Sequence, residues 1–211
     1  MVLAAFLIST AAVLLGLGLI RGAQNAAREQ GRGALENELA GFLDGAKATD
    51  SEHGTGSYEG LPVTLTLGHF EVAFEVQLEP AIIPYKELVE RHAPAALKSR
   101  IAELSLTIDG KDRVRGAVPR EPGLGENLVS IANRLPTVAA LRALRKFAPG
   151  ELLTKVDRAH SSADVDQILL QLTQHFPNAP ETQDAIDLAA EREHGHPERV
   201  RERAARWLAR T

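Results

Sequence analysis

From Val2 to Ile20 Leu, Ile, Val, Phe and Ala dominate, without one charged, Asn or Gln side chain among them. About 19 residues at 1.5 Å each give roughly 28 Å of helix, close to the ~30 Å hydrocarbon thickness of a bilayer, so the pattern predicts a transmembrane helix. Gly16 and Gly18 are tolerable there, because leaving the helix in lipid strands backbone polar groups. A cleaved signal peptide fits less well: nothing basic precedes the core, and the exit Ile20-Arg21-Gly22-Ala23-Gln24 puts Arg and Gln where small residues belong. Arg21, Arg28 and Arg32 all follow the span, so the positive-inside rule places the rest of the chain on the cytoplasmic side, of the inner membrane if the cell is Gram-negative.

After the span the period changes. Leu35, Leu39, Phe42 and Leu43 fall on one helical face and predict a juxtamembrane helix, weakened at Gly31-Arg32-Gly33. Thr49 to Gly60 is polar, glycine-rich and aperiodic, and reads as a loop; its Gly54, Gly56 and Gly60 miss the dinucleotide fingerprint by one residue. Strict alternation then follows, Leu61, Val63, Leu65 and Leu67 against Thr64 and Thr66, and Phe70, Val72, Phe74, Val76 and Leu78 against Glu71, Glu75 and Gln77. A two-residue Gly68-His69 turn pairs Leu67 with Phe70, Leu65 with Val72 and Val63 with Phe74, and gathers the apolar side chains on one face. A second strand pair, residues 104–108 and 113–118, is joined by a three-residue loop that keeps Leu106 opposite Val114. Between the hairpins Leu88, Val89, His92, Ala96, Leu97 and Ile101 predict a helix bent at Pro94 that covers the apolar sheet face.

From Pro122 the period is helical. Leu124, Leu128, Ile131 and Leu135 make one stripe, continued by Val138, Leu141, Leu144 and Phe147 up to Pro149-Gly150, with a short helix after it. Ser161 or Ser162 caps a helix carrying Val165, Ile168, Leu169, Leu172 and Phe176; Pro180 starts another, and Gly195-His196-Pro197 leads into the last. The expected fold is α+β: an anchor at 1–21, a juxtamembrane helix and loop at 22–60, an antiparallel sheet of two hairpins with its covering helix at 61–121, and a helical bundle or short helical hairpins at 122–211.

Composition narrows the chemistry. A net charge of −4, with the acidic excess in residues 1–105, gives no general attraction for nucleic acid, and none is expected as a partner. The absence of cysteine excludes disulfide scaffolds, Cys-ligated zinc, iron–sulfur clusters and thiol nucleophiles. No Gly-x-Ser-x-Gly, P-loop or His-Glu-x-x-His occurs, so no catalytic residue or cofactor is assigned.

Two constellations near the C-terminus remain. Glu191 and His194 are spaced i, i+3, with His196 nearby, but a bundle metal centre needs a second such motif and the chain has none, so no metal is expected. Arg199, Arg203, Arg206 and Arg210 form a helical stripe beside Trp207, the candidate interfacial or partner surface; Glu198 and Glu202 dilute it. The apolar face Val200, Ala204, Trp207, Leu208 predicts a packed helix with Trp207 in the core and the arginines solvated. His92 has no second ligand at useful spacing and reads as a half-buried helix residue.

HPERVRERAARWLAR resembles the second helix of a HEAT-type unit, a likeness confined to residues 162–210. In layout the whole chain resembles single-pass bacterial membrane proteins of uncharacterised role that carry a small mixed domain. The expected function is that of a membrane-tethered interaction or scaffold module with a protein partner. An envelope lipid-contacting module and an enzyme of unrecognised type stand behind it, and the oligomeric state is left open.

Overall fold

The computed structural model of the chain describes residues 24–193 and 196–210. The anchor expected over Val2–Ile20 lies outside them. Among the described residues no helix is long and apolar enough to cross a membrane. Helix α9 (Pro197–Leu208) is amphipathic, burying Val200 and Ala204 and turning polar residues outward. The anchored α+β layout and the single-pass placement are therefore corrected. What the structure shows is an α+β fold on a six-stranded antiparallel sheet whose strands lie side by side in the order β1 (Asp44–Ala48), β2 (His53–Tyr58), β3 (Leu61–Leu67), β4 (Glu71–Gln77), β6 (Arg113–Pro119), β5 (Thr107–Asp109).

The described residues divide into two compact units: one holds those up to Gln77, Leu104–Thr107 and Val114–Ala139, the other Leu78–Glu103, Ile108–Arg113 and the described residues from Ala140. The first is the sheet unit. Its helix α1 is described over residues 24–39 and buries Leu35 and Leu39. The chain then turns, and the stretch expected to be helix and loop forms two strands, β1 (Asp44–Ala48) and β2 (His53–Tyr58), paired antiparallel with Ala48 opposite Gly54. Asp50 makes the turn between them: its Oδ1 accepts from the backbone N–H groups of Glu52 (2.7 Å) and His53 (2.8 Å). Glycine alternation is what hid β2. A Cβ on Gly54 would lie 2.3 Å from Leu39 Cδ1 and one on Gly56 2.8 Å from Leu43 Cβ, so these glycines admit side chains of the preceding segment directly onto the strand.

Strands β3 (Leu61–Leu67) and β4 (Glu71–Gln77) form the expected hairpin, displaced by two residues: Leu67 faces Val72, Leu65 faces Phe74 and Val63 faces Val76. A slip of two keeps every side chain on its face. The loop is therefore four residues long, and Phe70, expected inside, is 83% exposed, while Leu78 takes up the burial at the far end. Beyond β4, Arg120 N–H donates to Phe70 C=O (2.9 Å), and β6 (Arg113–Pro119) runs antiparallel so that Gly116 sits against the Phe74 ring. β5 is only Thr107–Asp109. Ser105, at φ 52, is in the left-handed region, and this breaks the extended run expected from residue 104. Helices α4 (Leu124–Ala132) and α5 (Leu135–Ala140) complete the unit, burying Leu128, Ile131, Leu135 and Val138. Buried Asn127 fixes the entry to α4, its amide donating to Glu121 C=O and Gly123 C=O and accepting from Glu121 N–H.

In the second unit the helix expected over residues 85–103 is two helices. Ala93 is extended (ψ 134) ahead of Pro94, because proline disfavours the helical region for its predecessor; α2 (Tyr85–His92) ends there and α3 (Ala95–Glu103) begins anew. Both belong to the helical unit, and α2 packs on the 3-10 helix Leu141–Phe147. Helices α6 (Ala148–Arg158), α7 (Ser162–His175), α8 (Pro180–Arg192) and α9 pack on one another. Ser161 caps α7, its hydroxyl accepting from Asp164 N–H at 3.1 Å.

Candidate functional site

Two helix ends of opposite character meet in the helical unit. The last turn of α2 carries Arg91 and His92, where cations suit the carbonyl end of a helix; the first turn of α6 carries Glu151, where a carboxylate suits the free N–H groups. His92 Nε2 lies 2.7 Å from Glu151 Oε1, and Arg91 Nη1 donates to Glu151 Oε2. Glu87 extends the lace, 3.1 Å from Arg91 and 3.8 Å from Lys155. Glu151 is 8% exposed. Burial pushes its carboxyl up, and the His92 hydrogen bond with the charge of Arg91 more than offsets that, holding the pKa below the usual 4.5. Glu151 is thus a carboxylate that only accepts, and His92 Nε2 is the donor.

The His92 ring lies parallel on the Phe147 ring, centroids 4.5 Å apart and planes at 8°. These two rings border an apolar cleft of about 390 Å³ whose other walls are Pro94, Leu97, Ala143 and Leu144. α3 buries none of its own residues, so Ala96 and Leu97 are available as one wall. Lys146 stands at the cleft with its ammonium 5.1 Å from the Phe147 ring centroid.

A second ionic cluster lies in the same unit. Arg142 and Arg145 donate to the two oxygens of Glu79 at 2.7 and 2.6 Å, which holds that carboxyl below its usual range. Fully buried Tyr85 has a hydroxyl with no hydrogen-bond partner among the described residues; burial, then the charge of Glu79, pushes its pKa up. The sheet unit has a larger hollow, about 490 Å³, on its polar face beside Thr64, Thr66, Ala73, Ser105 and Thr107. Its charged groups satisfy each other, Arg115 Nε donating to Glu75 at 2.7 Å, and threonine and serine hydroxyls share its lining with Phe74 and Ala117. The smaller cleft by His92 is the better site, with enclosing apolar surface and one oriented polar ring.

The residues singled out from the sequence lie apart from it. In α9, Val200 and Ala204 are buried while Trp207 is only half-buried, short of the core position expected of it. Arg203 pairs with Asp166 at 2.9 Å, Arg206 Nε donates to Glu202 C=O at 3.3 Å, and Arg199 and Arg210 are exposed. Arg203, Arg206, Trp207 and Arg210 together border a hollow of about 230 Å³. His194 lies outside the described residues; Glu191 is exposed and His196 bonds Glu198 at 3.0 Å. Among the described residues no three His, Asp or Glu side chains are placed to hold a metal ion. Sequence reasoning weighed His92 alone and missed Glu151. The available signal was the pairing of a basic α2 end with an acidic α6 start, visible only once those helices are known to meet.

Fold and site together define an α+β protein with a sheet unit and a helical unit, the latter holding a preformed apolar cleft beside a carboxylate-oriented histidine. No family model, no curated protein and no solved structure matches the chain.

Proposed function

We propose that the protein is an interaction module whose helical unit receives an apolar group of another molecule. The observation that carries this reading is the cleft bordered by His92, Leu97, Leu144 and Phe147: apolar surface is left open in a folded unit, and the ring at its edge is held in one orientation by Glu151. Water in such a cleft has few polar partners, so replacing it with an apolar group is favourable, at about 25 cal/mol per Å² of surface covered.

The test is to fill the cleft. Peptides selected from a random display library on the purified chain are expected to share an apolar anchor and to lose binding to an Ala143→Trp variant, whose exposed alanine admits the larger side chain without disturbing the core. They should keep binding to Ala117→Trp, which fills the sheet hollow instead. Selected peptides that ignore Ala143→Trp, or a selection that yields nothing above background, overturn the reading.

A second reading rests on α9. Arg206 and Arg210 are exposed beside half-buried Trp207, an arrangement that suits an acidic protein surface. Selected peptides rich in Asp and Glu that lose binding to Arg206→Glu/Arg210→Glu transfer the contact to that helix.

A further inference from the structure

Resting on the cleft reading, we infer that the cleft receives Phe70 of a second copy of this chain, in a head-to-tail contact between the β3–β4 turn of one copy and the helical cleft of the next. Phe70 is 83% exposed, the most exposed large apolar side chain among the described residues. The turn that carries it is braced. Arg120 N–H donates to Phe70 C=O at 2.9 Å, Arg120 Nη1 donates to Gly68 C=O, and the His69 ring meets the Phe70 ring edge-on, centroids 4.6 Å apart and planes at 82°. An aromatic ring held out on a fixed backbone loses little freedom when it docks, which suits it to be an anchor.

The two surfaces match in size and in charge. A cavity of ~150 Å³ already takes up benzene, and the cleft offers about 390 Å³ bordered by the Leu97, Leu144 and Phe147 side chains. Lys146 stands at the cleft, and among the described residues no carboxylate meets its ammonium. On the other surface Glu71 follows Phe70 directly, and Glu52 borders the turn, its C=O accepting from Leu67 N–H at 2.7 Å. Among the described residues no cation meets either of those carboxylates, and Arg120 beside them is held on the Gly68 carbonyl. An anionic turn with an apolar tip thus faces a cationic cleft with apolar walls. A foreign partner would account for the cleft and leave the braced, exposed Phe70 unexplained, whereas a second copy accounts for both. Because the two surfaces differ, the contact is heterologous.

The experiment mixes two variants of the full chain, each broken on one side of the contact. Phe70→Ala, with its leucine methyls labelled for NMR, keeps the cleft and lacks the anchor; unlabelled Ala143→Trp keeps the anchor and has its own cleft filled. Both substitutions replace exposed residues. Titrating the first with the second should shift the Leu97 and Leu144 methyls, saturating with a Kd of about 0.1 to 1 mM, as suits a contact smaller than a standard interface. The doubly substituted Phe70→Ala/Ala143→Trp chain should leave those methyls unmoved. Adding Lys146→Glu to the labelled chain should weaken binding roughly two- to fivefold, and adding Glu71→Lys to the unlabelled chain should restore it. Silent Leu97 and Leu144 methyls in the mixture, equal shifts from the doubly substituted chain, or an affinity unmoved by Lys146→Glu overturns the inference. Peptide selection on the same chain tells this failure from that of the cleft reading: peptides lost with Ala143→Trp leave the cleft to a different partner, and a selection that yields none removes the cleft reading too.

Discussion

The two units solve the packing problem by opposite means. The sheet unit brings surfaces together by deleting side chains: Gly54, Gly56 and Gly116 each stand where a Cβ would fall within 3 Å of Leu39, Leu43 or Phe74. The helical unit ties α2 to α6 through paired charges, Glu87 with Lys155 and Arg91 and His92 with Glu151, and leaves a cleft beside them. Close approach of that kind tolerates no added volume, because an interior at crystal density has nowhere to move. Ion pairs between helix ends tolerate volume and respond to pH instead. The unit able to accept a guest is the one that is not packed shut.

The largest effect should come from the sheet unit. Replacing Phe74, 2% exposed, by Ala is expected to cost about 3 to 5 kcal/mol in urea unfolding, whereas Phe70→Ala, four residues away on the same face of the alternation, should change stability by no more than ~0.5 kcal/mol. Comparable losses at the two positions would restore the two-residue turn and its register. Next, Gly116→Ala places a methyl 2.5 Å from the Phe74 ring and 2.9 Å from Leu106, and should cost about 1 to 3 kcal/mol. Part of that loss should be recovered in a Phe74→Leu background, and strict additivity of the two changes would show that they do not meet.

In the helical unit the sharper variable is pH. Glu151→Gln should cost about 1 to 3 kcal/mol at neutral pH, where Arg91 and His92 lose a charged acceptor. The folded-state pKa of Glu151 is lowered, so its contribution is fully present above 4.5 and disappears as the pH falls through the depressed folded value. Wild type and variant should therefore converge in acid, and a gap that widens there contradicts the pairing. The smallest change has the opposite sign: Tyr85→Phe removes a buried hydroxyl that bonds nothing among the described residues, and should stabilise by up to about 1 kcal/mol. A loss of stability instead would reveal a partner for that hydroxyl.

Much of the fold is written in local periods. Alternation through residues 61–77 marks β3 and β4, and Ser161, Pro180 and Pro197 mark the starts of α7, α8 and α9. Where the sequence misleads, the reason is non-local. Gly54 and Gly56 look like a loop because their role is set by Leu39 and Leu43. The register of β3 with β4 is invisible to alternation, since a slip of two changes no face; only the exposure of Phe70 records it. The anchor reading over Val2–Ile20 falls outside the described residues, and no described helix supplies a span. The site was the least legible part, because His92 and Glu151 are 59 positions apart and nothing local marks either one. The stripe of arginines drew attention through its regularity, yet Arg203 is spent on Asp166.

The account turns on the helical cleft being a real apolar receptacle, and xenon, which enters such cavities without any polar contact, tests that directly. Under xenon pressure the account predicts methyl shifts at Leu97 and Leu144 in NMR spectra of the chain, abolished in Ala143→Trp, with no matching response at Thr64 and Thr107 in the sheet hollow. Silent Leu97 and Leu144 methyls, or a response confined to the sheet hollow, would contradict it.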